Sequence, residues 1–335
     1  MRLLVTGGAG FIGSNLVHSL LPKTEVEKLV VLDSLTYAGH QLNLEGAQEF
    51  SKYSFSKIDI RERESVNKLI IAEEITHVIH LAAESHVDRS ISDPGAFIET
   101  NVLGTFNLLE ACRVLWKDNY SKCRFVHVST DEVFGSLGKT GFFSESSPYQ
   151  PNSPYSASKA GADHLVCAYN HTYDFPGIIT NCSNNFGPFQ FPEKLIPQTI
   201  HLAASGQPIP VYGDGTNVRD WLYVRDHVEA LWLGLTSGES GESYNIGADN
   251  EWPNLRLIEK ICDLVDRKLN RQVGAARELV TFVKDRQGHD FRYAIDASKI
   301  RQELGWEPAH KFESAIEITV NWYLSNGYWL KAVMS

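Results

Sequence analysis

Tyr155 and Lys159 stand four residues apart in Ser153-Pro154-Tyr155-Ser156-Ala157-Ser158-Lys159. On a helix that spacing puts a phenol and an ammonium on one face, about one turn apart. A nearby ammonium favours the phenolate, which can take a proton from a sugar hydroxyl. Ser153 suits the helix cap and Pro154 the first helical position. Such a pair is also common on solvated helix faces, so its context matters. Ser129-Thr130-Asp131-Glu132 closes a β-branched run upstream, where Thr130 can hydrogen-bond the same oxygen. Hydride transfer at a hydroxyl needs only the tyrosine, lysine and threonine. The acid pair adds a second capability: one carboxyl removes a carbon-bound proton while the other protonates a departing hydroxyl. An isolated Asp-Glu pair is ordinarily two exposed loop acids, but a strand end aims this one into a cleft.

A second constellation lies at the N-terminus, in Val5-Thr6-Gly7-Gly8-Ala9-Gly10-Phe11-Ile12-Gly13. It follows a strand-like run and opens a helical one. Gly8-x-Gly10-x-x-Gly13 fits the dinucleotide fingerprint, and Gly7-x-x-Gly10-x-x-Gly13 fits its short-chain variant. Glycines there let the backbone turn tightly and approach a pyrophosphate at the positive end of a helix, with Phe11 and Ile12 on its first turn. Asp33 comes 20 residues after Gly13, where a carboxylate binds the adenosine ribose. That carboxylate repels a 2′-phosphate, and Ser34-Leu35-Thr36 brings no arginine, so NAD is expected over NADP. Asp59-Ile60 and Leu81-Ala82-Ala83 fall at strand ends along the same crevice. Asp59 reads equally well as a helix cap.

These residues need a scaffold that gathers strand ends. Arg2–Thr6, 28–32, 53–58, 77–81, 125–129 and 177–181 read as mostly apolar strands. Residues 11–21, 62–73, 96–113 and the stretch from Tyr155 read as helices between them. The alternation predicts an α/β fold: a Rossmann-type, doubly wound parallel sheet with a smaller C-terminal α/β lobe. Pro188, Pro192, Pro197, Pro208 and Pro210 then interrupt the pattern before helices resume at 225–236, 255–269, 298–304 and 312–325. We expect a cofactor domain over 1–180 and a mainly ligand-binding lobe over 181–335, with an interleaved boundary.

Composition narrows the class. The 335 residues carry 31 Lys plus Arg against 41 Asp plus Glu, a formal charge of −10. That balance disfavours nucleic acid as a partner, so an anionic ligand must meet a local cluster of donors. No stretch approaches the roughly 18 apolar residues of a membrane span. The sequence turns glycine-rich by Gly7, too early for a signal peptide's apolar core, so a cytoplasmic location is expected. The five cysteines include no C-x-x-C pair, and His77 and His80 lack a third ligand, so no metal is expected.

The chain resembles the extended short-chain dehydrogenase/reductases, and within them the nucleotide-sugar 4,6-dehydratases acting on dTDP-glucose. The resemblance runs nearly end to end, through 6–14, 35–39, 80–90, 96–105, 129–135, 153–160, 180–187, 191–197, 219–224, 244–247 and 288–296. The segment His80-Leu81-Ala82-Ala83-Glu84-Ser85-His86-Val87-Asp88-Arg89-Ser90 is its most specific part. It implies dehydration to the 4-keto-6-deoxy sugar: transient C4 oxidation by NAD, elimination of water across C5–C6, and hydride return to C6. It further implies that Tyr155 takes the C4 hydroxyl proton, Glu132 the C5 proton, and that Asp131 holds a raised pKa and protonates the leaving hydroxyl. By the same resemblance Ser85, Thr100 and Asn185 join the cofactor contacts. Ser85, Thr130, Asn184, Lys194, Leu195, Pro210, Val211, Tyr212, Arg219, Asn254, Asp285 and His289 would contact the nucleotide sugar.

Two positions depart from the family pattern. Arg286-Gln287-Gly288-His289-Asp290 has glutamine where the family usually has proline, and Phe134 stands where tyrosine is common. The resemblance also implies a homodimer, with 96–113 and 155–173 pairing across a twofold axis; Phe97, Val102, Phe106, Leu109, Leu165, Val166 and Tyr169 show helical apolar spacing there. Three rivals remain open: a UDP-glucose 4,6-dehydratase, a nucleotide-sugar 4-epimerase, which would not need Asp131 and Glu132, and a non-catalytic NAD-sensing protein.

Overall fold

The computed structural model describes residues 1–285 and 289–335. Strands β1 (Arg2–Thr6), β2 (Lys28–Asp33), β3 (Tyr53–Lys57), β4 (His77–His80), β5 (Arg124–Thr130) and β6 (Gly177–Cys182) alternate with helices. These are α1 (Phe11–Leu20), α2 (Arg63–Ala72), the short α3 (Val87–Ser92) and α4 (Pro94–Phe97), α5 (Thr105–Trp116) and α6 (Pro154–Tyr173). The second half supplies β7 (Asn184–Phe186), α7 (Leu195–Ser205), β8 (Ile209–Tyr212), β9 (Val218–Tyr223), α8 (Val224–Ser237), β10 (Ser243–Ile246), β11 (Glu251–Pro253) and α9 (Asn254–Lys268). It ends with β12 (Val280–Val283), α10 (Ser298–Leu304), α11 (Phe312–Ser325) and α12 (Gly327–Met334).

Seven strands form one parallel sheet in the order β10-β6-β5-β4-β1-β2-β3. Strands covered on both faces should be apolar throughout, and Leu3, Leu4, Val5, Val30, Val31 and Val78 are fully buried. One face packs on α1 and α8, burying Leu16, Val17, Val228 and Leu231. The other packs on α2 and α5, burying Val66, Ile70, Leu108 and Leu109. From β1 the chain winds outward through β2 and β3, then crosses back to β4 on the opposite side. The carboxyl ends of β1 and β4 therefore flank the topological switch point, where such sheets open a crevice for ligands.

The second half both extends this sheet and builds beside it. β10 pairs with β6 from Ser243↔Ile179 to Ile246↔Cys182, a seventh strand that the apolar pattern did not reveal. Two small sheets, β11-β9-β7 and β12-β8, carry the segments around 184–186, 209–223 and 280–283.

The helix expected over 96–113 is interrupted. Between α4 and α5, Ile98–Gly104 winds in wide π turns. Contacts from Asn101 anchor this segment. Asn101 accepts the Glu84 amide at 2.8 Å and donates to Ser158 Oγ at 2.8 Å and to the Glu84 carbonyl at 3.0 Å, which fixes it against the loop after β4 and against α6. Such bulges recur near functional sites.

Candidate active site

The turn after β1 shows why glycine is needed. Gly7 has φ +69, and a Cβ there would stand 2.7 Å from the Ala82 nitrogen; a Cβ on Gly13 would stand 2.1 Å from the Gly7 carbonyl oxygen. Gly10 differs, since its nearest neighbour, the same carbonyl, is 3.3 Å away and its other side is open. α1 starts from Gly10 with no side chain capping it, so the first-turn amides are left for a ligand. Asp33 closes the second wall. Its Oδ2 accepts the Ala9 amide and its Oδ1 that of Leu35, and burial pushes its carboxyl pKa up.

One cleft joins this turn to the residues on β5 and α6. All the cofactor residues expected from the sequence line it except Leu35, as do Thr130, Asp131, Glu132, Tyr155, Lys159, Asn184 and Lys194. Leu35 takes φ +56, and its side chain packs toward the core. Asp59 does not cap α2. It lies at the cleft with its carboxylate bound to the Arg61 guanidinium, which holds its pKa below the usual range.

Ser153 and Ser156 form a reciprocal capping box at the start of α6, the turn that carries Tyr155. The Thr130 hydroxyl favours the Tyr155 phenolate, but weakly. Burial, with the nearby Glu132 charge, pushes that phenol's pKa up, against the expected lowering by Lys159. The reason is visible: the Lys159 ammonium turns toward β5, donating to the Val128 carbonyl at 2.8 Å. In the free chain the phenol keeps its proton.

Asp131 opens a single tight turn, Asp131–Phe134, and is 2% exposed. Its Oδ1 accepts from Thr130 at 3.3 Å, while Oδ2 is buried without a hydrogen-bond partner. Burial first, then Glu132 and Asp220, raise its pKa well above the ordinary carboxylate range, opposed by Arg219. A raised pKa favours the protonated form, the state in which a carboxyl can donate a proton. Glu132, partly buried beside it, lines the cleft.

The remaining substrate candidates do not line this cleft; most gather in the second lobe. Tyr212 ends β8, where a Cβ on its neighbour Gly213 would stand 3.0 Å from the Asp285 carboxyl, and Asp285 accepts from His289 Nδ1 at 2.7 Å. Arg219 donates to the carbonyls of Val218 and Asp290 at 2.8 and 3.0 Å, and its guanidinium stacks 4.4 Å over the Tyr293 ring. Asn254 opens α9 with its side-chain oxygen buried and unpartnered. Pro210 lies on β8, half-buried. Val211 is 2% exposed in the hydrophobic core, since alternate side chains of β8 point inward, and the half-buried Leu195 packs against that core. Phe134 is also buried, stacked on Phe143 at 5.3 Å. The glutamine departure, at Gln287, lies outside the described residues.

Several cleft residues carried no signal of their own in the sequence. Tyr37 donates to Glu193 at 3.1 Å and lies under the Arg89 guanidinium, 3.6 Å from its ring centroid, bridging the loops after β2 and β4 to the segment before α7. Asp220, which influences Asp131, binds the Ala248 and Asn250 amides. Only adjacency to Arg219 could have marked it. Among the described residues, no group of three His, Cys, Asp or Glu side chains is arranged to hold a metal.

A model of the family described as GDP-mannose 4,6 dehydratase matches residues 4–319. A dTDP-glucose 4,6-dehydratase of Xanthomonas campestris is 52% identical over 336 residues, covering 99% of this chain and 95% of that protein. One from Escherichia coli K12 is 49% identical over 348 residues, covering 100% and 96%. The chain belongs to the dTDP-glucose 4,6-dehydratase family. Within that family, the solved structure of DesIV from Streptomyces venezuelae, with NAD and dTDP bound, superposes with a TM-score of 0.92 at 43% identity, covering 99% of this chain and 100% of that one. The fold alone does not set the dehydratases apart. A Thermus thermophilus UDP-glucose 4-epimerase in complex with NAD reaches a TM-score of 0.85 at 31% identity, covering 97% and 100%. The higher identity to dehydratases, with the acid pair at 131 and 132, makes the distinction.

Proposed function

We propose that this protein dehydrates dTDP-glucose to dTDP-4-keto-6-deoxyglucose with NAD as its resident cofactor. The observation that carries this reading is the environment of Asp131: a buried carboxyl with a raised pKa, next to Glu132 and in the same cleft as Tyr155.

The cleft fits the cofactor. Gly10 leaves open space where a side chain would intrude, the first-turn amides of α1 are uncapped, and Asp33 stands at the end of β2. Gly7, Gly10 and Gly13 would cradle the pyrophosphate, Asp33 the adenosine ribose, and Lys159 and Asn185 the nicotinamide end. When bound, NAD supplies the acceptor for the C4 hydride and returns that hydride at C6.

The chain's own groups manage the protons. Tyr155, assisted by Thr130, accepts the proton of the C4 hydroxyl once the loaded site favours its phenolate. The C4 ketone acidifies the C5 hydrogen, and Glu132 removes it. Asp131 delivers its proton to the C6 hydroxyl, which leaves as water. Two carboxyls with divergent environments thus divide acid and base work. Arg219 and Lys194 are the donors that an acidic protein needs for a diphosphate. Asn184, Pro210, Tyr212, Asn254, Asp285 and His289 form the rest of the nucleotide-sugar site.

The chain works as a homodimer in the cytoplasm on this reading. Phe97, Leu109, Val166 and Tyr169 are used within the chain's own core, yet Ile98, Leu103, Val114 and Tyr173 on the same stretches are exposed, apolar and available to a second copy. No described helix is long and apolar enough to cross a membrane.

Incubation with dTDP-glucose and, in parallel, UDP-glucose tests the reading by mass spectrometry. Loss of one water with preference for dTDP-glucose is expected. An isomer of unchanged mass would replace dehydration with epimerisation, and a preference for UDP-glucose would reassign the base.

A further inference from the structure

Beneath the cleft, on the side of β5 that packs against α6, lies a chain of buried polar groups with no part in the steps above. Asp163 is 0% exposed and sits one helical turn beyond Lys159 on α6. Its Oδ2 accepts hydrogen bonds from Ser129 Oγ at 2.8 Å and Tyr149 Oη at 3.0 Å. Its Oδ1 lies 3.1 Å from His127 Nε2, and the same nitrogen is 3.4 Å from Lys159 Nζ. A buried carboxylate placed among three donors is costly to keep unless it serves a partner charge.

The partner is Lys159. Its side chain is 4% exposed, so desolvation disfavours its ammonium, and Asp163 is the carboxylate that opposes this. The other titratable groups facing the ammonium are His80 on β4, His127 on β5, Cys182 on β6 and Tyr155 on its own helix. Both imidazoles stay neutral. His80 is enclosed between Thr6 and Thr105, and burial beside Lys159 pushes His127 down to about 4. Neither supplies a counter-charge. His127 Nε2 thus lies between Asp163 Oδ1 and Lys159 Nζ, and its Nδ1 is buried with no partner.

We propose that Asp163, buried one turn along α6 from Lys159, is a positioning residue whose charge keeps Lys159 protonated and directed at the Val128 carbonyl beside the cleft. The inference rests on the Tyr155–Lys159 reading above, and it adds the group that sets the lysine's charge.

The test uses the full-length protein with isotope-labelled lysine, assigning Lys159 by its loss in Lys159→Met and following its titration by NMR without substrate. Asp163→Asn keeps the shape and can still accept from Ser129 and Tyr149. With the negative charge gone, the ammonium is less favoured, so the Lys159 midpoint should fall by about one unit or more. The alkaline limb of kcat should move to lower pH in step, with KM for the nucleotide sugar within about twofold. Asp163→Glu should recover part of the shift. An unchanged Lys159 midpoint in a folded Asp163→Asn protein overturns the proposal. Should that variant fail to fold, the wild-type Asp163 carboxyl decides by carbon NMR: a carboxylate that is ionised while Lys159 is protonated supports the proposal, and a protonated carboxyl refutes it. The titration needs no turnover, so absence of activity on dTDP-glucose would count against the functional reading alone.

Discussion

Asp33 Oδ2 accepts the Ala9 backbone amide at 2.9 Å, so the carboxylate that faces the cofactor cleft also fastens the glycine-rich turn. Cofactor choice and loop shape thus depend on one side chain. Asp33→Ala should weaken NAD binding by about 10- to 100-fold, the loss of one or two charge-assisted hydrogen bonds. It should not create NADP binding, because no cation replaces the acid. Calorimetric titration with both dinucleotides measures this, and undiminished NAD affinity in the variant would remove Asp33 from the site.

The glycines separate loop architecture from ligand space. A Cβ at position 13 collides with the Gly7 carbonyl at 2.1 Å, whereas one at position 10 meets it at 3.3 Å. Gly13→Ala should therefore cost about 1–3 kcal/mol of stability. Gly10→Ala should melt within a few degrees of wild type and still lose the cofactor. Thermal melts beside NAD titrations distinguish the two, and equal destabilisation would contradict the distinction.

The acid pair divides one elimination into separable halves. In Glu132→Gln the base is missing, so neither water loss nor uptake of solvent deuterium at C5 should occur. In Asp131→Asn the base remains, and C5 should exchange while water loss falls by about 10²- to 10⁴-fold. Proton NMR in deuterated buffer follows both. Identical behaviour of the two variants would leave the assignment of acid and base without support.

Asp131 should also link stability to pH in an unusual direction. Its folded pKa is raised, so its favourable contribution is complete below the ordinary carboxylate range and is lost as pH rises through the folded value. Asp131→Asn is neutral throughout and escapes that loss. Its melting temperature should exceed wild type at neutral and alkaline pH, with the gap closing near about pH 4. Elimination by wild type should fall as pH rises through that same folded value. A variant less stable than wild type at every pH would show that the carboxyl is not under this strain.

Much of this arrangement was readable before any coordinates. Strands buried on both faces left continuous apolar runs, and turns that only glycine can make left Gly7, Gly10 and Gly13. The Ser153-Pro154 start announced the helix bearing Tyr155 and Lys159. What stayed hidden depended on distance in sequence. β10 joins the sheet by pairing with β6, far upstream in the chain, and so short a strand has no period of its own. The π-wound stretch at 98–104 is anchored by Asn101 reaching Glu84 and Ser158, partners invisible to local spacing. Tyr155 was expected to be acidified by Lys159, but helix-face geometry alone could not show the ammonium turning to Val128.

The reciprocal serines on either side of Tyr155 have a mechanical consequence. Helix ends are usually where a chain frays, and here Tyr155, the proton acceptor of the proposed mechanism, sits on the very first turn, clamped at the point of greatest vulnerability. The opposing guanidinium at 219 hangs from main-chain oxygens, which an incoming diphosphate can replace without breaking an ion pair to them. Stiffness is thus concentrated where bonds are made and broken, and compliance is reserved for admitting the sugar nucleotide.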